Sequence, residues 1–160
     1  MPADFQIRHA VAADLPALVA LERRAFTTDH LSPRQYRHHL SNPRALVLAA
    51  VDRTGLLGKA VVLFRKGSDI ARLYSIAVDD AARGRGIAKA LLRAVERDVR
   101  GRGCTRLRLE VNQANPAAIA LYEKIGYRRF GAYAGFYEDG TDAWRYEKLL
   151  AGTKATRPRP

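Results

Sequence analysis

Hydrophobic and polar residues recur with different periods along the first third of the chain. Residues 5–9 alternate as a short strand, and apolar residues over 15–26 then recur every three or four positions, which predicts a helix. Asp14 is expected to cap this helix. A second helix is predicted to begin at Ser32 and to end at Asn42, because each of these residues precedes a proline.

The pattern changes to β-rich runs from residue 45. Three runs within 45–78 are separated by the turn sequences D-R-T-G and K-G-S-D, which predicts three antiparallel strands. A long helix is then predicted from about Gly86 to Gly101, with an apolar face built around Leu91 and Val95. Its opposite, charged face is expected to hold Lys89, Arg93, Glu96, Arg97 and Arg100.

Four further elements are predicted in the last third of the chain. Residues 106–111 alternate as a strand, residues 116–125 form a helix closed by Gly126, and two strands follow over 127–133 and 143–150. The predicted order is β-α-α-β-β-β-α-β-α-β-β. This order predicts one α/β domain over residues 1–150, followed by a disordered basic tail over 151–160.

The amino-acid composition excludes several classes of protein. The chain has 160 residues, of which 48% are hydrophobic and 28% charged, as in ordinary globular domains. A single cysteine, Cys104, excludes an internal disulfide framework and is expected to be a half-buried small apolar residue. No apolar run approaches the ~18 residues of a membrane span, and no signal segment is visible, so a soluble cytoplasmic protein is expected.

The net charge of +12 is concentrated in the second half of the chain. Such a surplus attracts anions, which could be nucleic acid, an anionic cofactor or an acidic peptide. It could equally be a solvated arginine-rich surface. The four histidines have no metal-ligand spacing, and no metal is assigned.

The segment from Ile76 to Lys89, I-A-V-D-D-A-A-R-G-R-G-I-A-K, leads from a strand through a glycine turn into a helix. Glycines let the backbone approach a ligand, and amides at the helix start favour a phosphate or pyrophosphate. The ending of a P-loop and the full dinucleotide-binding spacing are both absent. A basic, glycine-capped helix start without a ligand remains the alternative.

A family resemblance rests on two motifs in this order. Residues 83–88, R-G-R-G-I-A, match the signature Q/R-x-x-G-x-G/A, and the chain therefore resembles the GNAT superfamily of acetyl-CoA-dependent N-acetyltransferases. Residues 109–127 are similar to the ribosomal-protein alanine N-acetyltransferases. The resemblance spans nearly the whole chain and implies an α/β fold with a mixed, mostly antiparallel sheet, a splayed strand pair and flanking helices.

The resemblance also implies acetyl-CoA as cosubstrate. The strand at 76–78 would pair with the pantetheine arm, the glycine turn would hold the pyrophosphate, and Asn115 would contact the cofactor. Ala88 stands where glycine is commoner. The residues expected to bind the cofactor are Ile76, Ala77, Val78, Arg83, Gly84, Arg85, Gly86, Ile87, Ala88, Lys89 and Asn115.

Acetyl transfer to an amine needs a base and a proton donor, because an alkyl ammonium with a pKa of about 10 is mostly protonated at neutral pH. By the resemblance, Glu110 is the base and Tyr122 protonates the departing thiolate. The amide of Val78 would stabilise the oxyanion. The alternatives are a strand-surface salt bridge for Glu110 and a tyrosine packed on the sheet for Tyr122.

The resemblance favours a peptide or protein N-terminal amine as acceptor, contacted by Phe136 and Tyr137. The acids of the same loop, Glu138, Asp139 and Asp142, could hold an ammonium or be solvated. A lysine side chain or a small-molecule amine remains an alternative acceptor. Two other classes compete, a basic nucleic-acid-binding module and a catalytically silent acyl-CoA sensor. Only the net charge supports the nucleic-acid-binding module. Retention of both Glu110 and Tyr122 argues against the silent sensor.

Overall fold

The structure is a computed structural model that describes residues 4–150. The predicted order of helices and strands is confirmed, with bounds that differ by a few residues. The elements are β1 (Gln6–His9), α1 (Leu15–Ala25), α2 (Pro33–Ser41), β2 (Ala45–Asp52), β3 (Gly55–Phe64), β4 (Ile70–Val78), α3 (Ile87–Gly101), β5 (Arg106–Asn112), α4 (Pro116–Lys124), β6 (Arg128–Tyr133) and β7 (Ala143–Leu149). Short 3₁₀ turns precede α1 and α3, at Ala12–Asp14 and Asp80–Ala82.

The strands form one seven-stranded sheet in the order β1-β2-β3-β4-β5-β7-β6. Antiparallel pairs join β1 to β2, β2 to β3, β5 to β7 and β7 to β6, whereas β4 and β5 are parallel. The sheet is therefore mixed and mostly antiparallel, as predicted. The ladder between β4 and β5 pairs Ile70 through Leu73 with Arg106 through Leu109.

Residue contacts divide the chain into two compact units. Unit 1 contains the described residues up to Leu63 together with Tyr74–Val95, and unit 2 contains Phe64–Leu73 and the described residues from Glu96 onward. Both β4 and α3 contribute residues to each unit. The single domain over residues 1–150 stays a prediction, and the basic tail over 151–160 lies outside the described residues.

Unit 1 has an apolar core between α1, α2 and the strands β2 and β3. Ser32 caps α2 as predicted, since its Oγ accepts a hydrogen bond from the Gln35 amide at 3.1 Å. The Gln35 side chain accepts in return from the Ser32 amide at 2.9 Å. The buried residues of this core include Leu18, Leu31, Tyr36, Val47 and Val61.

Asp14 occupies the N-cap position of α1, as predicted, but its side chain makes no capping hydrogen bond. Its backbone is already helical, with φ −79° and ψ −8°, whereas a side-chain cap typically needs an extended backbone to reach the following amides. Its carboxylate instead accepts two hydrogen bonds from Arg8, at 2.8 and 2.9 Å, and one from the Val11 amide at 2.7 Å. The guanidinium of Arg8 lowers the pKa of Asp14. Asp14 therefore ties β1 to the turn before α1.

Unit 2 follows the predicted alternation closely. Leu107, Leu109 and Val111 on β5 are buried, and Gly126 closes α4 with a positive φ of 103°. The outermost strand, β6, is half-exposed or exposed at every position, and its register shifts between Arg129 and Gly131.

The assignment of Glu96 to the solvated face of α3 is wrong. Glu96 is buried, because its carboxylate accepts hydrogen bonds from the Tyr127 hydroxyl at 2.7 Å and the Lys148 ammonium at 3.0 Å. Burial and the neighbouring carboxylate raise the pKa of Tyr127. A charged residue is thus accommodated inside unit 2 by partners that lie later in the chain, one just before β6 and one on β7.

Candidate functional site

The glycine turn of unit 1 leads into the start of α3. Asp79 shapes its entry, since its carboxylate accepts from the Ala81 amide at 3.2 Å and its own amide donates to Leu57 at 2.8 Å. Gly84 and Gly86 have positive φ values of 82° and 76°. A Cβ at either glycine would meet no atom within 4 Å. Open space faces the turn, and this fits a phosphate-bearing ligand.

The basic side chains around this turn differ in whether they form ion pairs with nearby carboxylates. Arg85 forms ion pairs with Asp4 at 2.5 Å and Asp52 at 3.2 Å, and the hydrogen bond that it donates to Asp4 raises its pKa. Arg83 pairs with Asp80 at 2.9 Å on the surface. Lys89 is exposed and has no ion pair within the described chain. The backbone amides and Lys89 are therefore the groups best placed to receive an anion.

The candidate cofactor-binding strand, β4, lies close to Gly58 on β3. The sequence did not predict this contact. A Cβ there would lie 2.9 Å from the Ala77 carbonyl oxygen and 3.2 Å from Ile87. No side chain fits without movement of β4 or of the start of α3. A glycine inside a strand pattern is itself a signal of such a close approach, and could have revealed it.

Unit 1 also contains a buried ionic cluster, defined here by Glu22, Tyr36, Lys59 and Ser75. The Lys59 ammonium lies 2.9 Å from Glu22 and donates to the Ser75 hydroxyl at 2.5 Å. Glu22 also accepts from the Tyr36 hydroxyl at 2.6 Å and the Leu31 amide at 2.9 Å. Burial lowers the pKa of Lys59, and Glu22 opposes that shift. The cluster joins α1, α2, β3 and β4.

Glu110 lies on β5 in unit 2, as predicted, with a side chain only 5% exposed. Its Oε1 accepts from Nε of Arg72 at 2.8 Å and lies 2.8 Å from the Nη2 atom of the same residue. Its Oε2 accepts a longer hydrogen bond, 3.4 Å, from Nε of Arg145. Glu110 is therefore an ion-pair partner, and its role as a base stays a prediction.

Tyr122 lies on α4 and packs edge-to-face against Tyr127, with ring centroids 5.7 Å apart. Burial raises the pKa of Tyr122, which keeps the phenol protonated at neutral pH. Asn115 caps α4 through its Oδ1, which accepts from the Ala118 amide at 3.2 Å. Only the Nδ2 group of Asn115 is left to meet a ligand.

The loop between β6 and β7 holds the two aromatic residues predicted to contact the acceptor. Phe136 is 38% exposed, stacks on Tyr133 at 5.5 Å and meets Tyr137 edge-to-face at 4.9 Å. Two acidic residues of this loop accept hydrogen bonds from the loop's own backbone. Asp142 accepts from the Gly135 amide at 2.7 Å, and Asp139 accepts from the Thr141 amide at 3.0 Å. These two carboxylates therefore shape the loop, and both residues are exposed to solvent.

Two negative findings apply to residues 4–150. No group of three or more His, Cys, Asp or Glu side chains there is arranged to hold a metal ion. No helix in that range is long and apolar enough to cross a bilayer. Cys104 is buried, and burial raises the pKa of its thiol.

The fold and the glycine turn agree with the family comparison. Residues 15–127 match the Acetyltransferase (GNAT) family, and the chain belongs to that family. It is an acetyltransferase, and its family generally uses acetyl-CoA as the acetyl donor.

Several solved structures are similar to this chain. The ribosomal-protein-S18-alanine N-acetyltransferase from Escherichia coli is 29% identical, with a TM-score of 0.82 over 91% of this chain and 94% of that one. Ard1 from Thermoplasma volcanium is 22% identical, with a TM-score of 0.82 over 92% and 98%. Nourseothricin acetyltransferase is 24% identical, with a TM-score of 0.76 over 92% and 99%. A sequence search of curated proteins gave no match.

Proposed function

We propose that the chain transfers an acetyl group from acetyl-CoA to the primary amine at the N terminus of a peptide or protein. The observation that carries this proposal is the 29% identity, over nearly the full length of both chains, to an enzyme that acetylates the alanine of a ribosomal protein. Nourseothricin acetyltransferase, at 24% identity, shares the fold and supports no choice of substrate.

The residues of unit 1 fit the cofactor. Acetyl-CoA supplies the acetyl group as an activated thioester. The amides of the glycine turn and the ammonium of Lys89 would bind the anionic part of the cofactor, and the backbone of Ile76 to Val78 would pair with the pantetheine arm. The amide of Val78 would donate to the thioester oxygen. By the family resemblance, the Nδ2 group of Asn115 would also donate to the cofactor.

Glu110 takes the proton that the acceptor amine must lose. An N-terminal ammonium has a pKa of about 8, so most of it is protonated at neutral pH. Arg72 contacts Oε1 of Glu110 through two nitrogens, whereas Oε2 has one long contact. We therefore assign proton uptake to Oε2, and Arg72 is the residue that positions the carboxylate. The neutral amine can then attack the acetyl carbon.

Tyr122 supplies the proton for the departing sulfur. Its hydroxyl is protonated at neutral pH, since the pKa of a phenol is about 10 and burial raises that of Tyr122 further. One C–N bond forms and one C–S bond breaks. Glu110 gains the first proton of the ammonium, the nitrogen loses its second proton to solvent as the amide forms, and Tyr122 gives its proton to the departing sulfur. Exchange with solvent returns both groups to their starting states.

The proposal is tested by measuring thiol release from acetyl-CoA with three acceptors. These are an Ala-initiated peptide, the same peptide with a blocked N terminus and an internal lysine, and spermidine. The Ala-initiated peptide should react fastest. Faster reaction of the blocked peptide or of spermidine would refute the N-terminal acceptor. Cofactor binding without thiol release from any of the three would favour the silent sensor.

A further inference from the structure

Four arginines and three aromatic side chains lie together in unit 2, around β5, β6 and β7. They form what we term the arginine–aromatic surface: Arg72, Arg106, Arg108, Arg145, Phe130, Tyr133 and Phe136. Glu110 and Glu147 lie between the arginines, because the register pairs Glu110 with Arg145 and Arg108 with Glu147. The candidate base is thus part of this surface.

The arginines outnumber the carboxylates that they contact. Glu110 is shared by Arg72 and Arg145, and Glu147 is shared by Arg106 at 3.1 Å and Arg108 at 3.0 Å. The four guanidinium side chains remain 24–43% exposed. The surface therefore carries two positive charges that its own carboxylates do not neutralise.

The aromatic rings hold two of these guanidinium groups in place. Arg108 and Arg145 each lie 4.7 Å from the centre of the Phe130 ring, and Arg145 lies 4.5 Å from that of Tyr133. Each of the two arginines uses only its Nε in a hydrogen bond within the described chain, to Glu147 and Glu110 respectively. Their terminal nitrogens are left as oriented donors, which is the geometry that binds a carboxylate through two hydrogen bonds.

We propose that the arginine–aromatic surface binds the carboxylates of an acidic acceptor segment. The preferred acceptor is then a peptide with Asp or Glu shortly after its N-terminal residue. The inference rests on the proposed function, because Glu110 marks this surface as the place where the amine arrives. Single-stranded nucleic acid fits less well. Its bases need open ring faces, whereas guanidinium groups cover Phe130, and Arg145 and Phe136 cover Tyr133.

The first test compares two Ala-initiated peptides that differ only at positions two to four, Asp-Glu-Asp in one and Asn-Gln-Asn in the other. The acidic peptide should have a kcat/KM about tenfold higher, mostly through KM, as expected for hydrogen bonds between charged groups. Arg108→Gln should bring the ratio of the two kcat/KM values to within about twofold. Arg108→Lys, which keeps the charge but not the planar fork, should keep part of the preference.

Arg97→Gln is the matched control, since it removes one charge from the exposed face of α3. It should leave the ratio of kcat/KM values unchanged. The proposal is overturned if wild type prefers the neutral peptide or shows no preference. An equal loss of preference in Arg97→Gln and Arg108→Gln would also overturn it, because the effect would then come from net charge alone.

A second measurement does not depend on turnover. Fluorescence anisotropy of labelled, N-terminally acetylated forms of both peptides should show tighter binding of the acidic one and its loss in Arg108→Gln. If no peptide is acetylated although acetyl-CoA binds, the proposed function fails and this measurement alone decides the role of the surface. Equal binding of both peptides, or their displacement by a much tighter-binding oligouridylate, would refute a surface for acidic peptides.

Discussion

Glu22 and Glu110 are two carboxylates of similar burial, 1% and 5% exposed, in different units of the chain. Glu22 accepts hydrogen bonds of 2.6 and 2.9 Å from Tyr36 and the Leu31 amide, and lies 2.9 Å from Lys59, whose side chain is fully buried. Glu110 contacts two arginines that reach solvent, and one of its oxygens has a contact of 3.4 Å.

The difference lies in the partners of the two carboxylates rather than in their burial. Each oxygen of Glu22 has a short, internal donor, so the residue stabilises the packing of α1 and α2 on the sheet. Glu110 has an oxygen with a weak contact beside partly exposed arginines, so a substrate can compete for it. A buried carboxylate is a candidate catalytic group when one of its oxygens is only weakly hydrogen-bonded and its partners are partly exposed, because a ligand can then reach both.

The largest expected effect concerns Glu110. Glu110→Gln should lower kcat by about 10²–10⁴-fold at neutral pH, because Gln cannot accept the amine proton. The loss should shrink as pH rises through the amine pKa of about 8, where free amine becomes abundant. Steady-state rates across pH with the best N-terminal peptide would show this.

Two controls separate this effect from the loss of ion pairs. Glu147→Gln, which also removes a carboxylate between two arginines, should lower kcat less than about tenfold, below the range of a lost base. Chemical unfolding should show that Glu110→Gln folds normally. Activity of Glu110→Gln within about twofold of wild type would leave Glu110 as a salt-bridge residue only.

The next effect is on stability and concerns unit 1. Lys59→Ala leaves Glu22 as an unpaired buried charge and should lower the free energy of unfolding by about 3–5 kcal/mol. Lys89→Ala, at an exposed position, should change it by less than about 0.5 kcal/mol. Urea unfolding followed by circular dichroism measures both.

A double variant sharpens this second test. Glu22→Gln combined with Lys59→Met removes both charges together and should recover part of the stability lost in Lys59→Ala. A loss below about 1 kcal/mol in Lys59→Ala would show that the pair resembles a surface salt bridge, and the contrast with Glu110 would fail.

The smallest effect is ligand-induced stabilisation through the glycine turn of unit 1. Acetyl-CoA at ~100 times its dissociation constant should stabilise the protein by about 2.7 kcal/mol, measured as a rise in Tm. Gly86→Ala should abolish the rise. Gly67→Ala is the matched control, since Gly67 also has a positive φ and open space around its Cβ position.

This cofactor test separates a loss of stability from a loss of the response to acetyl-CoA. Both glycine variants carry backbone strain, so both should lower Tm without ligand, but Gly67→Ala should keep the response to acetyl-CoA. A full response in Gly86→Ala would place the cofactor elsewhere. No response in wild type would refute binding at this turn.

Local patterns predicted much of the fold. The alternation of β5, the Ser32 cap and the glycine turn before α3 depend on residues close together in sequence, and each is confirmed. The error at Glu96 has a long-range origin. Helical periodicity gives a residue's face but not its partners, and those of Glu96 lie 31 and 52 positions away. Its charge was therefore assigned to the polar face of α3.

The candidate site could be predicted in part for the same reason. Glu110 and Tyr122 lie on the predicted strand and helix because motif spacing fixes their elements. The arginines that contact Glu110 come from 35 and 38 positions away, and only the tertiary structure shows them. The pairing of Lys59 with Glu22 was missed because a lysine inside an apolar strand has no visible partner in the sequence.

The outer strand β6 bears on the behaviour of the protein at high concentration. An edge strand with free backbone groups can pair with another chain and start aggregation. The register shift between Arg129 and Gly131 interrupts the regular edge, and Arg128 and Arg129 add charge beside it. Irregular backbone and repulsive charge on β6 therefore oppose sheet extension between molecules, and they favour colloidal stability over self-association.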